Sequence, residues 1–197
     1  MTADDGLKAE KRFLRAAMLE KRASLTSKDR KAYAKAWKQR FFEEPAVQHA
    51  KIIFAYATMP EEVPLDGLME EALELGKRVC VPYITGKGTM EAVELTSLSD
   101  LEPGAFGIRT VKNAAEHIVP PEDLDLIIVP GAAFSPEGIR LGLGGGYYDR
   151  YLPRAAQAYR LVLACDWQIV PEVPHAPHDQ LVDSILTEKQ FICCPAR

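Results

Sequence analysis

RLGLGGGYYD, residues 140–149, is the segment around which the rest of the chain is organised, and four of its ten residues are glycine. Glycine costs chain entropy on folding, so such a cluster indicates unusual backbone angles or a close approach of the backbone to a ligand. Upstream, residues 125–129 (DLIIV) form an apolar, β-branched run that is typical of a buried strand. Downstream, residues 147–159 predict a helix. The loop therefore leads into a helix N-terminus, where free backbone N–H groups favour an anion such as a phosphate.

The glycines alone leave two interpretations of this loop open. The loop has no Gly-Lys-Ser/Thr, so it is not a P-loop, and Gly142, Gly144 and Gly146 are spaced too closely for a dinucleotide fingerprint. A glycine-rich turn that only allows a strand to meet a helix has the same composition. The charged residues Arg140 and Asp149 at the two ends of the loop favour a binding site over a plain turn.

The loop and its flanks also resemble the signature of a known family. Residues 130–134 (PGAAF), Gly138 and residues 140–152 resemble, in the same order, the 5-formyltetrahydrofolate cyclo-ligase (5,10-methenyltetrahydrofolate synthetase) family. The resemblance extends from Lys11 to Glu188. It implies an ATP-dependent ligase that converts 5-formyltetrahydrofolate to 5,10-methenyltetrahydrofolate, with release of ADP and phosphate. In that reaction the formyl oxygen attacks the γ-phosphate, N10 of the folate attacks the activated carbon, and phosphate leaves.

Length, composition and charge limit the alternatives. With 197 residues, of which 47% are hydrophobic, we expect a single domain over residues 1–197, with residues 1–45 as a helical extension packed on it. A net charge of -4 gives no reason to expect nucleic acid or a membrane as partner. The sequence has no apolar run of membrane-spanning length and no signal-peptide core, so we expect a cytoplasmic protein with four reduced cysteines. We also expect a monomer that acts on small molecules.

Strands and helices alternate along the chain, which predicts a parallel sheet. The helix at 64–75 has Pro64 near its first position and Gly76 as its stop. We therefore predict an α/β fold: a three-layer, mostly parallel open sheet with helices on both faces (Rossmann-like), preceded by two N-terminal helices. The strands are expected at 51–57, 77–82, 89–95, 125–129 and 160–164, and the two leading helices at 7–23 and 27–43.

The first helix carries basic residues on one face. Lys11 and Arg15 are four residues apart, and Met18 and Arg22 continue the same face. On charge alone, a solvated basic face is the simpler explanation. The resemblance favours a different one, because the family has a K-x-x-x-R element here that contacts ATP phosphates. It is matched by Lys11, Arg12, Phe13, Leu14 and Arg15.

Two acids follow the first predicted strand, at the sheet edge where ligands bind in open α/β folds. Glu61 and Glu62 could simply favour the dipole of the next helix. The family has a substrate-binding Glu before Ile or Val at this point, which matches Glu62-Val63. A carboxylate suits the adjacent N–H donors of a pterin ring. We expect Ala57 and Met59 to line the apolar part of the same pocket.

The resemblance implies a full set of site residues and two bound species, ATP and Mg²⁺. Magnesium favours a few carboxylates together with phosphate oxygens and water, so two aspartates near a nucleotide are sufficient. The implied magnesium ligands are Asp149 and Asp179, and the implied catalytic residues are Arg140 and Tyr148. The ATP site is Lys11, Arg12, Phe13, Leu14, Arg15, Arg140, Leu141, Gly142, Leu143, Gly144, Gly145, Gly146, Tyr147 and Tyr148; the folate site is Ala57, Met59, Glu62, Leu143, Gly144, Gly145, Gly146 and Tyr147.

The chain departs from some family members at three positions. Ser135 stands where some members have Asp, and Leu143 and Gly145 stand where some have basic residues. Fewer basic groups would leave room for a second interpretation, a protein of the same fold that binds nucleotide or folate without catalysis. A third, a sugar-phosphate isomerase, depends on fold analogy alone and would need a general base near the loop, where only Glu137 and Asp149 are close in sequence.

Overall fold

A computed structural model describes residues 3–197, with side chains from residue 5 onward, and within them the chain alternates between helices and strands. The α-helices are α1 (Ala3–Ala23), α2 (Ser27–Phe41), α3 (Pro45–His49), α4 (Asp66–Glu74) and α5 (Tyr147–Tyr151). The strands are β1 (Ile52–Phe54), β2 (Arg78–Gly86), β3 (Thr89–Leu95), β4 (Leu101–Pro103), β5 (Arg109–Val111), β6 (Ile118–Val119), β7 (Leu126–Ile128), β8 (Ala133–Phe134), β9 (Arg140–Leu141), β10 (Tyr159–Leu163), β11 (Ser184–Leu186) and β12 (Phe191–Cys193).

Eight of these strands form one sheet in the order β12-β11-β10-β7-β1-β2-β3-β6. The five central strands, from β11 to β2, are parallel, and the outer strands β12, β3 and β6 pair antiparallel at the two edges. Two short ladders, β4–β5 and β8–β9, lie outside the sheet. The predicted mostly parallel open sheet is therefore confirmed.

The core has two halves, one on each face of the sheet. Successive residues of a strand point to opposite faces, and Ile53 accordingly packs with α2, α3 and α4, whereas Phe54 packs with α5. Trp37 and Phe41 of α2 are both buried in the first half. Because helices cover both faces, the three-layer prediction is also confirmed.

The helix α1 lies apart from both halves, against the small β8–β9 ladder. Leu14 and Met18 pack against Ala133 and Leu141. The β9 strand leads directly into the glycine loop, residues 142–146. This packing therefore brings the basic face of α1 next to the loop, as the sequence predicted.

Local sequence signals explain several element boundaries. Thr26 caps α2 through a reciprocal capping box with Asp29. After α4, Gly76 adopts a φ of 75°, a left-handed conformation that ends a helix and suits glycine. Pro45 occupies the first position of the short helix α3, where its missing N–H costs nothing.

Several predicted boundaries are wrong: the first strand, expected at 51–57, covers only Ile52–Phe54, the second, expected at 77–82, extends to Gly86, and two helices differ as well. The helix expected at 147–159 ends at Tyr151 and continues only as a 3-10 turn, Leu152–Ala155, because Pro153 cannot donate the backbone bond that an α-helix needs. The helix expected to begin at Pro64 begins at Asp66, with Leu65 as its cap. The correction to α5 matters for the site, since a five-residue helix has only a weak dipole to offer an anion.

Two further expectations concern the cysteines and the membrane. All four cysteines are free thiols, and Cys80 and Cys165 are buried. None of the helices described has both the length and the apolar character that crossing a bilayer requires.

We predict that Phe54→Ala costs about 3–5 kcal/mol of unfolding free energy, because it removes a fully buried ring from the central strand. Phe54 lies with its ring centroid 5.2 Å from that of Tyr151 and 6.2 Å from that of Tyr148. Urea unfolding followed by circular dichroism measures the loss. Leu75→Ala is the control, since that side chain is exposed; an equal loss in both variants would contradict the assignment of Phe54 to the core.

Candidate functional site

A cavity of about 230 Å³ opens at the carboxyl-terminal edge of the parallel strands. One wall is the segment that follows β1, including Tyr56, Ala57, Met59 and Glu62. Parallel strands end at the same edge, so this segment meets the connection that follows β7. The opposite wall consists of Arg140, Gly142, Leu143, Gly145, Gly146, Tyr147, Tyr148 and Asp149.

Two arginines hold the glycine loop. Arg15 of α1 donates through Nε to the carbonyl oxygen of Gly142 at 2.8 Å. From α5, Arg150 donates to the carbonyl oxygen of Gly145 at 2.6 Å and to that of Gly88 in the β2–β3 turn at 2.7 Å. The loop is therefore connected to both the N-terminal helix and the antiparallel edge of the sheet.

The glycines are required by this geometry at two positions. Gly144 has a φ of 103°, which side-chain-bearing residues rarely adopt. A Cβ atom on Gly145 would lie 2.7 Å from the ring of Tyr147. A side chain at either position would move the loop away from the cavity that it lines.

Arg140 lies beneath the loop and is almost fully buried, with 3% of its side chain exposed. It donates to the carbonyl oxygen of Pro130 at 3.0 Å and forms an ion pair with Oδ1 of Asp149. Its Nε–H has no acceptor among the described residues. The buried Nε–H of Arg140 is thus left unpaired by the described chain, and Asp149 has Oδ2 free of any hydrogen bond to the described chain.

Tyr148 forms part of the cavity floor. Its hydroxyl group is buried without a hydrogen-bond partner among the described residues, and its ring stacks on Phe54. Burial raises the pKa of this phenol well above its usual value, so Tyr148 is neutral near neutral pH and is a donor rather than a base. An unsatisfied buried hydroxyl at a cavity wall indicates a place for a polar ligand atom.

Glu62 occupies the other end of the cavity. Its Oε2 accepts the backbone N–H of Met59 at 2.9 Å, and its Oε1 accepts Nη1 of Arg22 at 2.9 Å. Burial raises the pKa of the Glu62 carboxyl group, while the Met59 N–H and Arg22 act in the opposite direction. Glu61, in contrast, is exposed and does not line the cavity.

Lys11 and Asp179 contact each other beside α1. They form an ion pair, and Asp179 Oδ2 also accepts the backbone N–H of Ala176 at 2.6 Å. Burial raises the pKa of Asp179, but the hydrogen bonds from Lys11 and Ala176 outweigh it and hold that pKa below its usual value. Asp179 is not among the residues that line the cavity, so the two predicted magnesium ligands lie in different surroundings.

Other residues of the predicted ATP site are not brought to the cavity. Arg12 and Phe13 are exposed on α1, and Phe13 lines a separate surface groove. Leu14 and Leu141 pack together in the small core under α1. Gly144 borders the guanidinium of Arg15 instead of the cavity wall.

Sequence reasoning missed several residues of the site. Arg22 was placed on the basic face of α1, but its partner Glu62 is 40 residues away, and no local pattern indicates that pair. Pro82, Ile84, Met90 and Ile108 supply apolar cavity walls. Their contribution depends on the β2–β3 hairpin and the loop before β5 folding over the edge of the sheet.

The cavity combines three chemical environments. These are the buried carboxylate of Glu62, apolar side chains such as Met59, Ile84 and Met90, and the glycine loop with Arg140 and Asp149. A molecule with adjacent N–H donors, a flat apolar body and an anionic group matches this combination. Among the described residues, no three His, Cys, Asp or Glu side chains form a cluster that could bind a metal by themselves.

Comparisons with known proteins identify the family of the chain. The model of the 5-formyltetrahydrofolate cyclo-ligase family matches residues 7–188. A mouse 5-formyltetrahydrofolate cyclo-ligase is 31% identical over 90% of this chain and 93% of its own, and a probable 5-formyltetrahydrofolate cyclo-ligase of Caenorhabditis elegans is 30% identical over 98% of both chains.

The solved structures include a 5,10-methenyltetrahydrofolate synthetase from Aquifex aeolicus. It superposes with a TM-score of 0.84 at 32% identity and covers 95% of this chain and 94% of its own. A synthetase from Mycoplasma pneumoniae, at 21% identity and a TM-score of 0.73, shares the fold. The family match and these relatives span nearly the whole chain, and the chain belongs to the 5-formyltetrahydrofolate cyclo-ligase family.

Proposed function

We propose that this protein is an ATP-dependent ligase that converts 5-formyltetrahydrofolate to 5,10-methenyltetrahydrofolate, with release of ADP and phosphate. The observation that carries the proposal is a single cavity that is lined by both the buried carboxylate of Glu62 and the glycine loop. The family and its relatives are named for this reaction. The proposal takes the chain as one cyclo-ligase domain, with residues 1–45 as its helical extension.

At the carboxylate end, Glu62 binds the pterin. Each of its oxygens has one hydrogen bond to the protein, so each keeps a lone pair for a ligand N–H. Two adjacent donors on the pterin match that pair. Met59 and Ala57 contact the ring, with Ile84 and Met90 on the hairpin side.

At the other end, the glycine loop and the arginines bind the phosphates. Phosphoryl transfer depends mainly on positioning and on neutralising charge, and needs no covalent nucleophile from the protein. Arg140, fixed by Pro130 and Asp149, presents its free Nε–H. Arg15 and Lys11 add positive charge from α1, and Tyr148 donates its unpaired hydroxyl to an oxygen of the reacting groups.

Asp149 and Asp179 are the proposed ligands of Mg²⁺. Asp149 fits this role by itself, because it lines the cavity and has Oδ2 free of hydrogen bonds to the described chain. Asp179 lies outside the cavity lining, with Oδ2 bound by Lys11 and Ala176 and Oδ1 3.9 Å from His178, so it would join Asp149 only after leaving Lys11. Magnesium needs only a few carboxylates when phosphate oxygens and water supply the remaining positions. When bound, it neutralises charge on the transferred phosphoryl group.

One assay tests the reaction as a whole. Purified protein with 5-formyltetrahydrofolate, ATP and Mg²⁺ is expected to produce the absorbance of methenyltetrahydrofolate, and no product is expected without ATP. Formation of ADP is measured in parallel. Binding of both ligands with no product would instead identify a protein that binds without catalysis.

We predict that Glu62→Gln weakens binding of 5-formyltetrahydrofolate by roughly 1–3 kcal/mol, because the amide replaces one acceptor with a donor and leaves buried polar groups unpaired. ATP binding should stay nearly unchanged, because Glu62 lies at the end of the cavity away from the loop. Calorimetric titration with each ligand gives both affinities.

Glu61→Gln is the matched control for this variant. Glu61 is adjacent in sequence but exposed, and only its distant contact with Arg22 links it to the site. The Glu61→Gln variant should bind 5-formyltetrahydrofolate with the affinity of the unmodified protein. A folate defect in Glu61→Gln with none in Glu62→Gln would move the assignment by one residue.

We predict that Arg15→Ala raises KM for ATP by about tenfold, the value of one charged hydrogen bond, and raises KM for folate much less. Arg15 supports the loop at Gly142, which lies at the phosphate end. Steady-state kinetics with each substrate varied separates the two constants. Lys35→Ala is the control, because Lys35 is exposed on α2. If the KM values for ATP and folate were the same in both variants, the basic face of α1 would have no role in ATP binding.

We predict that Asp149→Asn lowers ATP-dependent turnover by about two orders of magnitude, because charge stabilisation through a metal is worth several kcal/mol. The change also leaves the buried Arg140 without its ion-pair partner, so thermal unfolding must be measured as well. Asp123→Asn, at an exposed carboxylate, is the control. Full turnover of a folded Asp149→Asn at saturating ATP and Mg²⁺ would remove Asp149 from the metal site.

A further inference from the structure

Arg22 lies near the end of α1, and its side chain reaches the carboxylate end of the cavity. Its Nη1 donates to Oε1 of Glu62 at 2.9 Å, and its Nη2 lies 3.8 Å from Oε1 of Glu61. Both partners in the first contact are largely buried, with 15% of the Arg22 side chain and 10% of the Glu62 side chain exposed. This is a desolvated charged hydrogen bond, unlike a surface ion pair.

Among the described residues, the polar contacts of the Arg22 side chain are with these two acids. Its Nε–H is buried with no acceptor among the described residues. Arg160, by comparison, donates to the backbone carbonyl oxygens of Leu181 and Leu152. The side chain of Arg22 is therefore held by carboxylates, and its short contact is with Glu62.

The two protein donors to Glu62 lie on different oxygens. Arg22 takes Oε1 and the Met59 N–H takes Oε2, which fixes the plane of the carboxylate. One lone pair on each oxygen remains for a ligand. The Met59 bond is made by backbone next to Glu62 itself, so Arg22 is the contact that comes from a separate element.

We propose that Arg22 is the positioning residue of the folate site: from α1 it keeps Glu62 ionised and oriented, so that both carboxylate oxygens accept the donors of the pterin. The inference rests on the proposed function, because it takes Glu62 as the residue that binds folate. Arg22 itself does not line the main cavity, so it acts through Glu62 and not by contact with the ligand.

The surroundings of Glu62 give this role its physical basis. Burial raises the pKa of the carboxyl group, and a buried carboxyl that becomes protonated loses an acceptor. Arg22 is the only cation in the described chain that forms an ion pair with Glu62. The other charged or titratable groups around it are Tyr56 and Glu61 after β1, Arg30 and Lys31 on α2, Asp66 on α4, Arg109 on β5, Arg140 on β9, Tyr148 and Asp149 on α5, and Cys165 after β10.

The sign of the effect follows from these contacts. Folate binding to an ionised Glu62 is lost as the pH falls through its pKa. Removing Arg22 takes away an opposite charge within hydrogen-bond distance, so the pKa of Glu62 rises. The acid limb of kcat/KM for 5-formyltetrahydrofolate should then move to higher pH by about 1–3 units, the usual effect of an adjacent opposite charge.

The test compares Arg22→Met, which keeps an unbranched apolar stem without the charge, with Arg22→Lys, which keeps the charge. In Arg22→Met the acid limb is expected to move up and KM for folate to rise about tenfold or more at neutral pH, with KM for ATP unchanged. Arg22→Lys should restore most of the profile. Lys31→Met is the matched control, because Lys31 shares a groove with Glu62 but forms no hydrogen bond with it. A profile of Arg22→Met that coincides with that of Lys31→Met would overturn the proposal.

A double-mutant cycle separates positioning from general stability. If Arg22 acts through Glu62, then Arg22→Met combined with Glu62→Gln should weaken folate binding no more than Glu62→Gln alone. Additive losses would indicate a structural role and overturn the proposal. Thermal unfolding of each variant identifies any that is not folded. If Arg22→Met is not folded, the same cycle is measured with Arg22→Lys in its place.

The pKa of the Glu62 carboxyl group can be measured by ¹³C NMR in protein without ligand. This measurement tests the role of Arg22 independently of the proposed reaction. Glu62→Gln assigns the resonance. A Glu62 pKa that is unchanged by Arg22→Met would overturn the positioning role even in an active ligase. A pKa that rises as expected, in a protein with no ATP-dependent turnover, would support the Arg22–Glu62 coupling and count against the proposed reaction instead.

Discussion

The buried guanidinium of Arg140 connects the parts of the molecule from which the site is built. The guanidinium donates to the carbonyl oxygen of Pro130, which follows β7, and pairs with Asp149 on α5. Arg140 itself is the first residue of β9, the strand that precedes the glycine loop. A buried charge is tolerated only when it is paired and hydrogen-bonded. The strand edge, the loop and the short helix must therefore adopt their positions together, and the cavity at this edge follows from that requirement.

The N-terminal helix performs a second connecting role. Arg15 contacts the glycine loop and Arg22 contacts Glu62, at opposite ends of the cavity. The two residues are seven apart, which is two helical turns and about 10 Å. A single rigid element thus sets the distance between the glycine loop and Glu62, and this explains why a helix outside the sheet contributes to the candidate site.

At Leu143 and Gly145, where some family members have basic residues, the structure shows what surrounds each position. A side chain at Gly145 would meet the ring of Tyr147, which lines the cavity, and Leu143 points partly into solvent at its rim. Positive charge reaches the loop instead from Arg15 and Arg150, which bind its carbonyl oxygens. At position 145, the ring of Tyr147 takes the space that a side chain would need.

The sequence by itself determined the fold class and the position of the glycine loop, and its resemblance to the family predicted Glu62 over Glu61. Apolar β-branched runs, helix-forming segments and glycine stops are local signals, and each acts on the residues beside it. Only the tertiary structure decided which charges meet. The pairs Arg22–Glu62, Arg140–Asp149 and Lys11–Asp179 depend on crossovers that bring distant or differently oriented segments together. It also left Arg12 and Phe13 on the outside of α1, because solvent exposure depends on which face the core covers.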